Sequence, residues 1–113
     1  MSEPMHVLRG TLDTLILQVL SHGPLHGYGI ADWVREATDG VLDLEDGALY
    51  TALHRMESGG WLRAEWGVSE RGRRAKLYDL TERGRSRLAD DARDWRRYAE
   101  AVDKVFARGE GAS

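Results

Sequence analysis

The chain of 113 residues contains no cysteine. Disulfides, Cys-ligated zinc, iron–sulfur clusters and thiol nucleophiles are thereby excluded. No run of 18 apolar residues occurs, so no transmembrane helix is expected. The N-terminus carries no basic segment followed by an apolar stretch, so no secretory signal is expected. A Gly-rich phosphate loop and a nucleophile elbow are both missing. Ser21, His22 and Asp32 are nearby short polar residues without a catalytic pattern, and neither enzymatic activity nor a cofactor is expected. His22 and His26 stand four apart, but Gly23-Pro24 interrupts the helix that would aim both at one metal. These absences together fit a cytoplasmic protein.

What remains has the composition of one soluble domain. Hydrophobic residues make up 42% and charged residues 31%, too apolar for a disordered chain and too charged for a membrane protein. The net charge of −3 argues by itself against a nucleic-acid binder, but its distribution reverses that reading. Residues 1–62 carry a balance of −6, residues 63–97 one of +4 and residues 98–113 one of −1. The densest cationic cluster is Arg71, Arg73, Arg74 and Lys76, without an acid between them. On a loop such a cluster meets phosphates; it is equally the composition of a solvated turn.

Apolar periodicity predicts the elements. Leu8, Leu12, Leu15, Ile16, Val19 and Leu20 share a helical face over 8–22, ended by Gly23-Pro24. A second helix is predicted from about His26 to Thr38, with Tyr28, Ile30, Trp33, Val34 and Ala37 as its stripe. A third fits 45–58, with Asp43 as N-cap and Leu49, Ala52, Leu53 and Met56 facing inward, closed by Gly59-Gly60. Residues 61–67 and 75–80 read as strands joined by a polar loop, a β-hairpin in which Leu62, Ala64 and Trp66 share one face. Thr81 caps a last helix reaching about Phe106, where Gly84 in the first turn costs little. The order helix, helix, helix, strand, strand, helix is that of a mainly α winged helix-turn-helix with an added long C-terminal helix. The expected division is 1–80 for the winged helix-turn-helix, 81–107 for the long helix and 108–113 for a flexible tail.

On the third helix Gly47, Thr51 and His54 lie opposite the core face, flanked by Tyr50 and Arg55. This outward set suits base edges and phosphates in a major groove. Glu45 and Asp46 sit near the same end and would repel phosphate if they pointed at it. Alternation along a strand cannot place Arg71, Arg73, Arg74 and Lys76 on one side, so two or three of them are expected to touch DNA. Leu88, Ala92, Trp95, Ala99, Val102 and Phe106 follow a 4, 3, 4, 3, 4 spacing, a heptad seam. With Leu12 of the first helix it forms a candidate homodimer surface; packing on its own domain is the alternative. Two copies would read a palindrome with half-sites about one helical turn apart.

Several stretches in order resemble the PadR family of transcriptional regulators, in its short class with one C-terminal helix. They are Leu8-Arg9-Gly10, Gly23-Pro24-Leu25-His26-Gly27-Tyr28-Gly29-Ile30, the run from Gly47 to Glu57, Gly60-Trp61-Leu62, and the run from Arg73 to Gly84. The likeness covers roughly residues 7–106. Thr51 stands where the family often has Pro, and Leu77 where it often has a second aromatic. The resemblance implies binding of double-stranded DNA, dimerisation through the last helix, and repression relieved by an effector. In multidrug-binding relatives a tryptophan at the position of Trp95 stacks flat aromatic compounds at the dimer centre, which makes a small aromatic effector a candidate partner, with Asp13 and Tyr98 lining the same space. Interface core is the other reading of Trp95. Two further alternatives stay open: a winged-helix protein-interaction module without DNA binding, and a metal-responsive regulator. No membrane partner is expected.

Overall fold

The structure, a computed structural model, describes residues 10–69 and 71–111. Leu8 and Arg9, with which the first helix and the family-like stretches were expected to begin, lie outside the described residues, as do the last two residues of the expected tail. The elements are α1 (Leu12–Leu20), β1 (Leu25–His26), α2 (Gly27–Ala37), α3 (Asp46–Ser58), β2 (Leu62–Val68), β3 (Arg74–Leu80) and α4 (Glu82–Gly111). The three strands form one antiparallel sheet in the order β1-β3-β2. This is the winged helix-turn-helix with a long fourth helix that the element order predicts.

The core lies between α1, α2, α3 and the base of the sheet. Ile16, Leu17 and Leu20 of α1, Ile30 of α2, and Leu49, Leu53 and Met56 of α3 are fully buried. Leu62, Tyr78 and Leu80 close it from the sheet. Each large apolar side chain removed from water there contributes on the order of 1.5–3 kcal/mol, so this cluster dominates the stability. The stripe on α2 differs from the expected one. Ile30, Ala31 and Val34 face the core, while Trp33 turns outward and stacks on His22 with ring centroids 5.1 Å apart. Gly27 also lies inside, where a side chain would meet the ring of Tyr50.

Strand β1 was not anticipated. Two residues are too few to carry a periodic pattern. They are held as a strand only because Leu25 and His26 pair with Tyr78 and Leu77 across the edge of β3. The cap of α3 also differs: Glu45 is the N-cap residue and makes no side-chain cap hydrogen bond, while Asp43 instead accepts one from Arg35 at 3.0 Å. The other end of α3 closes as its glycines predict. Gly60 takes a φ of +84°, the Gly60 amide donates to Glu57 O and the Trp61 amide to Met56 O, the paired bonds of a Schellman motif.

Helix α4 starts as expected and ends later. Thr81 Oγ1 accepts the Gly84 amide hydrogen at 3.0 Å and donates to the Gly60 carbonyl at 2.7 Å, tying the helix start to the end of α3. Gly84 is buried against the start of β2, and a Cβ there would collide with the Trp61 carbonyl oxygen. The glycine therefore serves close packing rather than merely being tolerated in a first turn. The helix continues through residues 108–111, which were expected to be a tail. At 30 residues it is about 45 Å long. The radius of gyration of 16.1 Å exceeds the roughly 13 Å of a globule of this length, because most of α4 projects from the domain. No helix among the described residues is long and apolar enough to cross a membrane.

A charge network fixes the angle at which α4 leaves. Asp13 of α1 accepts two hydrogen bonds from Arg55 of α3, at 2.6 and 2.9 Å, and one from Arg87 of α4 at 3.0 Å. Arg87 also donates to Asp91 at 3.2 Å, and the Thr14 hydroxyl donates to Asp91 at 3.3 Å. The guanidinium groups of Arg83 and Arg87 lie over the Trp61 ring, 5.0 and 4.6 Å from its centroid. Burial by itself would raise the Asp13 pKa, but the hydrogen bonds and charges of Arg55 and Arg87 outweigh it and hold the carboxyl below its ordinary 3.8.

Two outcomes are expected. Gly84→Ala should cost about 2 kcal/mol or more, since the clash is with backbone that cannot rotate away; thermal unfolding reads this directly, and an unchanged Tm would refute the packing account. Because the Asp13 pKa is lower in the folded chain than in the unfolded one, its contribution is complete above about pH 5 and is lost as pH falls through 3.8 and below. Asp13→Asn should therefore lower stability by about 1–2 kcal/mol near neutrality and flatten the acid limb of a stability–pH profile. Parallel acid limbs for both proteins would remove Asp13 from that role.

Candidate nucleic-acid interface

Helix α3 separates its residues as a recognition helix requires. Leu49, Ala52, Leu53 and Met56 are buried, while Gly47, Tyr50, Thr51, His54 and Arg55 are exposed on the other side. A helix whose outer face carries small and hydrogen-bonding side chains enters a major groove without steric conflict. Thr51 and His54 have no side-chain partner among the described residues and are free to meet a ligand. Tyr50 lies with its ring against Gly27 at the start of α2, so its contacts are shared with the domain. Arg55 is held by Asp13, so its guanidinium is committed inside the chain rather than free for phosphate. Glu45 and Asp46 are exposed at the helix start, and Glu45 shares the rim of an open groove with Gly10, Leu12, Asp13, Gly47 and Arg55.

The hairpin formed by β2 and β3 divides its charges by face. Pairing runs Leu62↔Leu80, Ala64↔Tyr78, Trp66↔Lys76 and Val68↔Arg74, so these side chains share the face whose base is in the core. Arg63, Glu65 and Asp79 occupy the opposite face, where Arg63 and Asp79 pair at 3.1 Å. The loop turns through Gly72 at φ +74°, closed by Ser69 N donating to Arg73 O at 2.7 Å and Gly72 N to Ser69 O at 2.9 Å.

The four wing cations are not equivalent. Arg71 folds back on α2, its guanidinium 4.2 Å from the Tyr28 ring centroid and 3.6 Å from Asp32. Lys76 reaches Glu57 of α3 at 3.2 Å. Arg73 and Arg74 make no ion pair among the described residues; Arg74 lies over the Trp66 ring, 4.8 Å from its centroid. Sequence alternation anticipated that not all four would face one way. It could not foresee that Arg71 and Lys76 brace the wing against α2 and α3, since both partners are distant in sequence. Trp66 was read only as a member of a strand face, yet it is 59% exposed. The signal was available in length: the alternation extends further from the hairpin base than a core of this size covers.

The seam on α4 splits in two. Leu88 packs against the domain core, and Ala92, Ala99 and Val102 are half-buried. Trp95 and Phe106 are 43% and 67% exposed. Leu12 is half-buried against the core at the groove rim. Trp95 and Tyr98 form an aromatic pair with centroids 6.1 Å apart. Asp13, expected to line the same space, has its carboxylate occupied by Arg55 and Arg87 instead. Among the described residues no group of three His, Asp or Glu side chains comes together that could hold a metal ion.

Comparison with known proteins agrees with this geometry. The chain superposes on a transcriptional regulator from Clostridium thermocellum with a TM-score of 0.77 and 29% identity, covering 85% of this chain and 90% of that one. A PadR family transcription regulator from Clostridium difficile is 32% identical with a TM-score of 0.73, over 86% of this chain and 99% of that one. The PadR of Bacillus subtilis, solved in complex with operator DNA, matches with a TM-score of 0.64 and 25% identity over 71% of this chain and 45% of that one. The model of the transcriptional regulator PadR-like family matches residues 16–90. That stretch runs from the core of α1 through the recognition helix and the wing into the first turns of α4, and the chain belongs to the PadR-like family of DNA-binding transcriptional regulators.

Proposed function

We propose that the protein acts in the cytoplasm as a homodimeric repressor that binds a palindromic operator and is released from it by a small aromatic effector. The observation that carries the DNA part is the outward face of α3, with Thr51 and His54 unpartnered, beside a wing that keeps Arg73 and Arg74 out of internal ion pairs. Gly47 lets the helix start approach a backbone closely, and Tyr50 and Arg55 flank the face; Arg55 reaches phosphate only by leaving Asp13. Arg71 and Lys76 contribute by holding the wing in place and by adding positive charge. Base reading falls to α3 and phosphate contact to the wing.

The second copy is supported by the part of α4 beyond the domain. An isolated helix face bearing Trp95, Val102 and Phe106 leaves apolar area in water that a partner's α4 would cover. Ala99 lies between them, Leu88 and Ala92 continue that seam toward the domain, and Leu12 lies beside its base. A two-fold axis through such an interface sets the spacing of the recognition helices. Trp95 and Tyr98 supply aromatic surface near that axis for a flat effector, whose binding would alter the spacing through α4.

Anisotropy titration against the DNA upstream of its own coding sequence, at about 50 and 200 mM salt, tests the first part. Binding should be much tighter than to random DNA and should weaken steeply with salt. Arg73→Ala with Arg74→Ala should lower the slope of log affinity against log salt by about one to two; an unaltered slope would remove the wing from phosphate contact, and equal weak binding to both DNAs would favour a protein partner. Sedimentation should give twice the 12.7 kDa chain mass. Val102→Glu with Phe106→Glu should yield a folded monomer, and a dimer that survives both substitutions would place its interface elsewhere.

A further inference from the structure

The wing carries a feature that phosphate contact does not explain. Trp66 is 59% and Val68 75% exposed, side by side on one face near the hairpin tip. Opposite them in register stand Lys76 and Arg74. The Arg74 guanidinium lies 4.8 Å and the Lys76 ammonium 5.7 Å from the Trp66 ring centroid. The acids of the two strands, Glu65 and Asp79, are on the other face. An apolar patch is thus bordered by two cations with no carboxylate of the strands among them.

The direction of this face follows from one contact. Lys76, the register partner of Trp66, reaches Glu57 on α3 at 3.2 Å. The face with the indole is therefore the one turned toward the recognition helix, and it continues outward past the flank of that helix. A duplex lying along the outer side of α3 meets this surface next.

We propose that Trp66 is itself a DNA contact, laid against the deoxyribose wall of the minor groove that flanks the segment read by α3, with Arg74 directed to a phosphate of its rim and Lys76 holding the face in place through Glu57. The proposal rests on the reading of the hairpin as a DNA-binding wing and extends it to a residue that carries no charge. The chemistry of the partner matches the patch. Sugar walls are apolar, the rims are anionic, and a cation drawn into a narrow minor groove gains from its negative potential. Apolar side chains at such grooves contact sugars and base steps without a hydrogen-bond code. Stacking on the indole also keeps the Arg74 guanidinium ordered before binding, so less conformational freedom is lost on contact.

The test uses the full-length protein and a duplex that the wild type selects from a random-sequence library. Failure of the wild type to select any sequence would overturn the DNA-binding reading as a whole. With a duplex in hand, Trp66→Ala should weaken binding roughly 5- to 50-fold with the salt slope unchanged, whereas Arg74→Ala should reduce the slope by about one. Trp66→Phe, which keeps an aromatic face, should recover most of the loss. Hydroxyl-radical footprinting should lose protection of the flanking sugars in Trp66→Ala, while methylation protection in the major groove under α3 persists. Circular dichroism and Tm should match the wild type, because the residue lies outside the core. Wild-type binding together with unimpaired Trp66→Ala binding would overturn this inference and leave the regulator reading intact. A loss accompanied by a lowered slope would also overturn it, since the indole would then act only as a rest for the cations.

Discussion

The Asp13 carboxylate accepts hydrogen bonds from Arg55 on the recognition helix and from Arg87 on α4. One side chain of α1 thereby connects α3 with the helix that leaves the domain. The hydrophobic core supplies most of the stability, but apolar packing is weakly directional. The bidentate pair with Arg55 and the bond to Arg87 supply direction, because planar guanidinium groups accept few geometries. The orientation of α4 relative to α3 depends on this constraint, reinforced by Gly84 against Trp61 and by the Thr81 hydroxyl bridging Gly60 and Gly84.

The same arrangement ties the first turns of α4 firmly to the domain. Beyond Asp91, α4 has few contacts with its own domain, and its aromatic side chains stand in water. The first turns, by contrast, are held to α1 and α3 through Arg87 and Asp13. Arg87 touches α1 through Asp13, its own helix through Asp91, and the start of the hairpin through Trp61.

The wing shows a division of labour that charge counting alone misses. Of four clustered cations, two brace the hairpin: Arg71 against Tyr28 and Asp32, Lys76 against Glu57. Arg73 and Arg74 keep their charge for the surface. A flexible two-stranded hairpin is marginal by itself, so anchoring it to α2 and α3 lowers the ordering cost that binding would otherwise incur.

Much of this was legible in the sequence. The apolar periodicity of α1, α3 and the hairpin, the Gly59-Gly60 stop and the Thr81 cap are local properties, set by side chains within a few residues of one another. The outward set on α3 followed from the same wheel that placed Leu49, Leu53 and Met56 inside. Tertiary structure decided the rest. Strand β1 exists only through pairing with β3, and Trp33 faces out because α1 and α3 cover the other side of α2. Asp13 pairs with Arg55 and Arg87, and Arg71 with Asp32, across separations of 39 residues or more, and charge pairing at such separations leaves no periodic trace. Trp66 belongs to a face that the sequence determined, but whether that face is core or surface depends on how far the helices extend beneath it, which is a property of the assembled fold.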